Sequence, residues 1–284
     1  MKSSTLLFLI ALMIPLSGSA FQRNLLINLI EFGRIELQPK GTGIHDGESV
    51  EVIIKNTSSS SFSSSIPVGW IFISEVPEVQ DLLVVREEFF TLRAGDQTTV
   101  LCKAFCCESS GTGPGIDERY RKGRMASPDL VAVAKAASTS EEYADHSIQS
   151  AIWVISNGHN ISSMGAMDST STDTLRLHVS KISGQPAPLY TLTYAEGGEG
   201  VCSGRPEWIT RNISYNVPGG ATITIVAITH DGRIRHVLYD HEELAPGTHE
   251  IGLRLNVLDW PEGRYAIRAH SNNEAGARLM NFQL

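Results

Sequence analysis

Four cysteines are the residues of this sequence most able to do chemistry: Cys102, Cys106, Cys107 and Cys202. A thiol can form a disulfide, bind zinc or act as a nucleophile. In one strand, Cys102 and Cys106 would face the same side about 13 Å apart, whereas a disulfide needs Cα atoms within about 7 Å. Adjacent Cys106 and Cys107 would face opposite sides. The simplest disulfide therefore joins Cys202 to one of the other three, with Cys102 and Cys107 as candidate partners, and the remaining thiols are expected to be buried.

The familiar catalytic and cofactor motifs are missing from the sequence. It contains no GxSxG nucleophile elbow, no HExxH helix, no CxxC pair and no P-loop. The cysteines between residues 102 and 107 lack the paired spacing of a zinc site. The glycine-rich stretch 111–115 is not followed by Lys-Ser/Thr and is interpreted as a linker. We therefore expect no enzyme activity, no cofactor and no metal.

The N-terminus predicts export. Lys2 is followed by an apolar run from Thr5 to Leu16 and then by small residues ending at Ala20. This is the layout of a secretory signal peptide over residues 1–20, with the mature chain beginning near Phe21. The apolar run is shorter than the roughly 20 residues of a membrane span, and we recognise no second span. We expect a secreted or cell-surface protein.

The charge balance argues against two classes of partner. The chain has 23 Lys and Arg against 31 Asp and Glu, a formal net charge of −8 at pH 7. Scattered acidic charge does not attract nucleic acid or anionic lipid. We therefore expect neither nucleic acid nor a membrane as partner.

Residues 21–108 have the pattern of short strands separated by polar turns. Apolar residues alternate along 50–54, and 70–73 is an apolar run typical of a buried strand. This pattern predicts an antiparallel β-sandwich domain at 21–108. The polar and glycine-rich residues 109–126 are expected to be a linker.

Residues 127–185 have helical periodicity and predict three helices. Ser127 can cap the first helix. Thr139 and Glu142 fit a capping box for the second, and the third runs from about Thr172. We expect a small helical region between two β domains.

The C-terminal third returns to β structure after a second expected linker at 186–205. Within 206–284, an alternating strand at 221–228 is followed by an Asp-Gly hairpin turn at 230–232. Alternation continues at 280–284 to the last residue, so the terminus must be tied into a sheet.

Several short motifs follow one another in order from residue 215 to the C-terminus. They are Tyr215-Asn216-Val217-Pro218, Asp231-Gly232-Arg233, Pro246-Gly247-Thr248-His249 and Glu262-Gly263-Arg264-Tyr265. This set resembles the Ig-like sorting domains of Bacteroidetes-type exported proteins and the related Ig-like domain of flagellar hook-capping proteins. Arg278 departs from the usual Lys, and Gly252-Leu253 departs from Trp-Asp. The resemblance implies an Ig-like fold that docks or directs type IX secretion, with the secretion machinery or cell-surface components as partners.

Gln149 and Trp153 lie four residues apart and share one helix face. The stretch from Gln149 to Trp153, Gln-Ser-Ala-Ile-Trp, resembles the Gln-Xaa-Ala-Ile-Trp segment of thioester domains in bacterial surface adhesins. Those domains join a Cys thiol to a Gln side chain and trap host amines covalently. The resemblance implies a thioester between Gln149 and Cys102, Cys106 or Cys107. The alternative is that Trp153 packs the helical region while Gln149 bonds to a neighbouring backbone.

The chain is therefore expected to be mainly β with a small α-helical region, in which two antiparallel β-sandwich (Ig-like) domains flank three helices. The expected function is that of an exported, non-catalytic surface or extracellular protein, structural or adhesive, whose C-terminal Ig-like domain serves docking or secretion. One alternative is a thioester-type covalent adhesin. The other is an enzyme with a site in the helical region, for which a pocket joining His146, Gln149 and Cys107 would be diagnostic.

Overall fold

A computed structural model describes residues 25–165, 170–197, 202–217, 219–271 and 276–284. The fold is mainly β with a small helical region and several antiparallel sheets, as the sequence predicts. The signal peptide expected at 1–20 lies outside the described residues.

From residue 25, where the described part of the chain begins, the N-terminal half contains one short helix and nine strands. They are α1 (Leu26–Glu31), β1 (Ile35–Thr42), β2 (Val50–Asn56), β3 (Phe62–Ile66), β4 (Trp70–Ser74), β5 (Leu82–Val84), β6 (Glu88–Leu92), β7 (Gln97–Cys102), β8 (Ala104–Cys106) and β9 (Ile116–Met125). Seven strands form one sheet in the order β7-β2-β1-β9-β4-β5-β8, and β3 pairs with β6. All of these pairings are antiparallel.

The seven-stranded sheet curls back on itself. Its two edge strands, β7 and β8, are separated only by Lys103. Ala104 closes the gap, since its N–H donates to the carbonyl of Gly47 at 2.7 Å and its carbonyl accepts from the Ser49 hydroxyl at 2.7 Å. The concave side holds one apolar core, to which β3 and β6 contribute Phe62, Ile66, Phe90 and Leu92.

The prediction that residues 109–126 form a linker is wrong for most of that range. Strand β9 lies there, and it pairs with β1 on one side and β4 on the other. Its sequence looks like a loop because only Tyr120 is buried while most neighbours are charged and exposed. Backbone pairing, rather than side-chain burial, holds this strand in place.

The three helices expected at 127–185 are α2 (Pro128–Ala137), α3 (Asp145–Ser156) and α4 (Thr170–Ser183), with a 3₁₀ turn at Ile161–Ser163. The capping box is wrong. The Thr139 hydroxyl instead donates to the Ala136 carbonyl at 2.7 Å, and the Glu142 N–H donates to the Ser140 hydroxyl at 3.1 Å. Both residues lie in the loop before α3, whose N-cap is Ala144.

The helices cover the convex side of the same sheet. A second apolar core forms between them and strands β4, β5 and β8, with Ile71, Leu83 and Phe105 from the sheet. These strands are therefore buried on both faces, which explains their continuous apolar runs. The helical region is one packing unit with the N-terminal sheet.

The described residues of the C-terminal β-sandwich form seven strands. They are β10 (Thr191–Glu196), β11 (Cys202–Val217), β12 (Ala221–Thr229), β13 (Ile234–Leu244), β14 (Gly247–Asn256), β15 (Arg264–Ser271) and β16 (Ala277–Gln283). One sheet has the order β10-β11-β14 and the other β13-β12-β15-β16. The expected linker 186–205 is wrong in part, because it contains β10 and the start of β11. The third apolar core lies between these two sheets.

The last strand is confirmed. Met280 and Phe282 are buried in the sandwich core. Leu284 and Gly263 exchange two backbone hydrogen bonds, at 3.1 and 3.2 Å. The C-terminus is therefore tied into the sheet.

Candidate functional site

The cysteines lie in three different environments. Cys102 and Cys106 are in the concave-side core, and Cys107 is in the core beneath the helices, so the adjacent pair faces opposite sides as expected. Cys202 is half-buried at the start of β11, where its N–H donates to the Ser109 carbonyl at 2.9 Å. All four are free thiols, and the disulfide from Cys202 to Cys102 or Cys107 is not formed in this structure.

Gln149 meets Cys106, but through the cysteine backbone. Its carboxamide oxygen accepts from the Cys106 N–H at 3.0 Å, and its nitrogen donates to the Cys106 carbonyl at 2.7 Å. The Cys106 thiol points instead to the carbonyl of His45, at 3.3 Å. This two-bond clasp joins α3 to β8, and it is the backbone-bonding arrangement that the sequence left open for Gln149.

The electrostatics of Cys106 disfavour a reactive thiol. Burial, helped by the negative charges of Glu108 and Asp46, raises the pKa of Cys106 to about 12. Burial likewise raises the pKa of the Cys107 thiol. A thiol that keeps its proton at neutral pH is a weak nucleophile.

His146, Gln149 and Cys107 do not form a shared pocket. His146 is exposed, Cys107 is buried in the helical core, and Gln149 is engaged with Cys106. None of the three lines the large cleft of the molecule.

That cleft has a volume of about 1010 Å³ and lies between the helical region and the C-terminal sandwich. One wall is the segment 185–190, which leads from α4 to β10. The other walls come from the C-terminal sheets, chiefly β15 and residues 278–283 of β16.

The cleft is strongly basic. Arg211, Arg264, Arg268 and Arg278 line it together with His230, and no Asp or Glu is among the described residues of its lining. Within the described residues, none of the four guanidinium groups forms an ion pair. Outside the cleft, Arg86, Arg176 and Arg233 do form ion pairs with carboxylates. A cleft lined by one sign of charge concentrates counter-ions.

Two of these arginines face each other across the sheet. Arg268 of β15 and Arg278 of β16 are Cα partners, next to a register shift after Ile267. Like charges directly opposite one another destabilise a sheet. The Arg268 Nε is buried and has no hydrogen-bond partner among the described residues. The Arg268–Arg278 pair can therefore donate hydrogen bonds to the oxygen atoms of an anionic ligand.

Arg211 enters the cleft from the other sheet. Its side chain is half-buried on β11, and burial lowers the pKa of its guanidinium. Because the ordinary value is above about 12, the group still carries its charge at neutral pH. The guanidinium fork binds carboxylate, phosphate and sulfate oxygens in a bidentate way. The cleft can therefore hold a ligand with several anionic groups.

Sequence reasoning missed this site. Arg264 and Arg268 lie four residues apart, on the face of β15 opposite the buried residues Tyr265, Ile267 and Ala269. Two basic residues on one strand face, within an acidic chain, are the local signal that could have indicated it. Their convergence with Arg211 and Arg278 depends on strand pairing.

A polar junction lies beside the cleft. The His159 Nε2 and the Ser109 hydroxyl are 2.9 Å apart, and the Asn157 side chain accepts from the Ser109 N–H at 3.1 Å. The His159 ring is 5.8 Å from the Trp153 ring and 5.3 Å from the Tyr194 ring, between centroids. Burial lowers the pKa of His159. The junction joins the end of β8, the end of α3 and β10.

No protein-family model matches the sequence, and no curated protein matches it. Among solved structures, the chain aligns with the CBM51-2 and INT domains of ZmpB from Clostridium perfringens at 11% sequence identity and a TM-score of 0.19. The alignment covers 88% of this chain and 77% of that chain. The TM-score is too low to indicate a shared fold.

None of the helices in the described residues is long and apolar enough to cross a membrane. Among the same residues, no group of three or more His, Cys, Asp or Glu side chains could hold a metal ion.

Proposed function

We propose that this chain is an exported protein of the cell surface or extracellular space that acts without catalysis as an adhesive component. Its adhesive site is the arginine cleft, and its partner carries several anionic groups. The observation that carries the proposal is the set of four cleft arginines, with no carboxylate among the lining residues that the structure describes. In a chain of net charge −8, overall composition does not explain such a cleft.

The cleft lining suits binding better than chemistry. Arginine keeps its proton at all working pH values and cannot act as a general base. His230, the one histidine among the described lining residues, is exposed, and no described lining carboxylate orients it. A hydrolytic site needs a nucleophile, a base and an orienting group in mutual reach.

A binding experiment tests the proposal. The exported protein is titrated with labelled polyglutamate and polygalacturonate, two anionic polymers with different backbones, and with neutral dextran. We expect at least one anionic polymer to bind, and the double substitution Arg268→Gln, Arg278→Gln to weaken that binding about tenfold or more. Arg254→Gln is the matched control, because Arg254 lies outside the cleft with its guanidinium carbon 4.4 Å from the Trp208 ring centroid.

Absence of binding to both anionic polymers would contradict the proposal. So would equal losses in the cleft variant and the Arg254 control, since that result would indicate a general charge effect. The location is tested separately, by fractionating cells and assaying the outer surface and the medium for the protein. Protein retained inside the cytoplasm would contradict export.

The C-terminal sandwich is proposed to serve docking or secretion as well. The ordered motifs between Tyr215 and Tyr265 support this role, and type IX secretion machinery is the expected partner. In this proposal the folded sandwich is what the machinery recognises, so its final strand must be intact.

A covalent thioester adhesin is the second candidate, favoured by one contact. The Gln149 side chain lies against Cys106, the residue nearest to completing a Cys–Gln pair. A thioester would form when the Cys106 sulfur bonds to the Gln149 carbonyl carbon and ammonia leaves, lowering the mass by about 17 Da. Methylamine would then add to Gln149 and release one thiol. An unaltered intact mass, with no methylamine uptake, would exclude this candidate.

A further inference from the structure

We propose that the arginine cleft receives an extended, acidic peptide segment of another protein, which adds as a strand to the free edge of β16. The inference rests on the proposed function and names the class of its anionic partner. Strand addition supplies affinity through main-chain hydrogen bonds and specificity through alternate side chains.

The edge of β16 is open in the described part of the chain. β16 is the last strand of its sheet and pairs only with β15. Leu284 exchanges both of its backbone hydrogen bonds with Gly263, so the backbone N–H and C=O groups of Phe282 and Met280 also point toward β15. The N–H and C=O groups of Asn281 therefore point away from the sheet, and they have no backbone partner among the described residues.

Among the described residues, the facing wall makes no backbone–backbone hydrogen bond to this edge. It contains Pro186 and Pro188, which have no backbone N–H to donate. The wall contacts β16 through the Tyr190 hydroxyl, which accepts a hydrogen bond from the Gln283 N–H at 3.3 Å. That bond confirms that the backbone N–H of Gln283 points away from β15. A groove therefore remains between segment 185–190 and β16, with unused backbone groups on one side.

The charges match an extended peptide with acidic residues at alternate positions. Arg264 and Arg268 are four residues apart on one strand face, a separation of about 13 Å. Carboxylates at positions i and i+4 of the added strand have the same spacing, and β16 separates that strand from β15, so the two backbones would lie about 10 Å apart. Arg278 stands opposite Arg268 and doubles the positive charge at one end. Leu189, 59% exposed on the facing wall, offers an apolar contact to the peptide's other face.

Backbone complementarity favours a peptide over an acidic polysaccharide. A sheet edge presents donors and acceptors at the spacing of another β-strand. A sugar chain carries carboxylates but no amide groups at that spacing. Removing backbone N–H donors from a peptide without changing its charges therefore distinguishes the two classes of ligand.

The test uses labelled peptides of about eight residues, similar in length to β16, with alternating Glu and Val. Two derivatives carry N-methyl groups either on every Glu or on every Val, which removes the N–H donors from one edge of the peptide. We expect the parent to bind, one derivative to lose about tenfold or more in affinity, and the other to bind nearly as well. Hydrogen exchange at the Asn281 amide should slow when the parent peptide is bound.

Protein variants check that binding occurs in the cleft. Arg278→Gln should weaken the parent peptide about tenfold, whereas Arg254→Gln should not, and melting curves show that both variants are folded. Binding of both N-methyl derivatives as tight as the parent, or unchanged exchange at Asn281, would overturn strand addition. Cleft-dependent binding of polygalacturonate without any peptide binding would overturn this inference and leave the proposed function standing. No cleft-dependent binding of any anion would overturn both.

Discussion

Replacing Phe282 by alanine should destabilise the C-terminal sandwich by about 3–5 kcal/mol, the usual cost of truncating a buried aromatic ring. The Phe282 side chain is 4% exposed. Its ring stacks on Tyr265 with centroids 5.3 Å apart and meets the Tyr190 ring edge-on at 6.2 Å. Such pairs add about 0.5–1.5 kcal/mol each beyond burial, which places the cost in the upper half of the range. Domains have only about 5–15 kcal/mol of stability, so little of the margin would remain.

Urea unfolding followed by tryptophan fluorescence measures the effect, because Trp260 lies 6.3 Å from the Phe282 ring. Phe89→Ala is the matched control. Phe89 is 58% exposed on β6, and substitutions at such surface positions usually change stability by less than about 0.5 kcal/mol. If Phe282→Ala lowers the unfolding free energy no more than Phe89→Ala does, the assignment of Phe282 to the core is wrong.

The fold leads to three further predictions, and the N-terminal sequence leads to a fourth. Deleting Leu279–Leu284 should unfold the C-terminal sandwich while the N-terminal half stays folded. If the sandwich directs secretion, the truncated protein should also accumulate in the periplasm. Normal export with an unchanged melting profile would contradict this prediction. Gln149→Ala should lose about 1–3 kcal/mol, because it leaves the buried N–H and C=O of Cys106 unpaired, and an unchanged urea midpoint would count against the clasp. Burial holds the folded-state pKa of His159 below its unfolded value near 6.5, so the unfolded state binds more protons below that pH. The contribution of His159 to stability should therefore be fully present above pH about 7 and decrease as the pH falls through 6.5. His159→Gln should flatten this dependence, and an identical pH profile in that variant would assign the effect to other groups. N-terminal sequencing of exported protein should begin near Phe21, and a chain that still begins at residue 1 would refute the signal peptide.

Local patterns predicted most of the secondary structure. Alternation identified the strands at 221–228 and 280–284, and helical spacing identified all three helices of the helical region. The misplaced start of α3 shows the limit of local signals. Thr139 and Glu142 have the right spacing for a capping box, but the Thr139 hydroxyl bonds to Ala136 at the end of α2 and the Glu142 N–H bonds to Ser140 in the loop. A capping motif competes with every other local partner.

Strand β9 illustrates a different limit. Its residues are mostly charged, so neither hydrophobicity nor alternation marks it as a strand. It forms because β1 and β4 each present a row of unpaired backbone groups on either side. A strand between two partners is specified by hydrogen bonding to residues distant in sequence, which no local window contains.

The sequence alone therefore determined the compositional and periodic features of this protein: a β-rich chain, a central helical region, and an apolar final strand. It also placed Cys106 and Cys107 on opposite sides of a strand, because side chains alternate with a period of two. Only the tertiary structure decided which Cys Gln149 would meet and that four arginines would share one cleft. Arg211 and Arg278 are far apart in the chain, and they line the same cleft because the two sheets that carry them pack around one core. Such convergence depends on sheet pairing and packing between distant segments, for which the sequence carries no local signal.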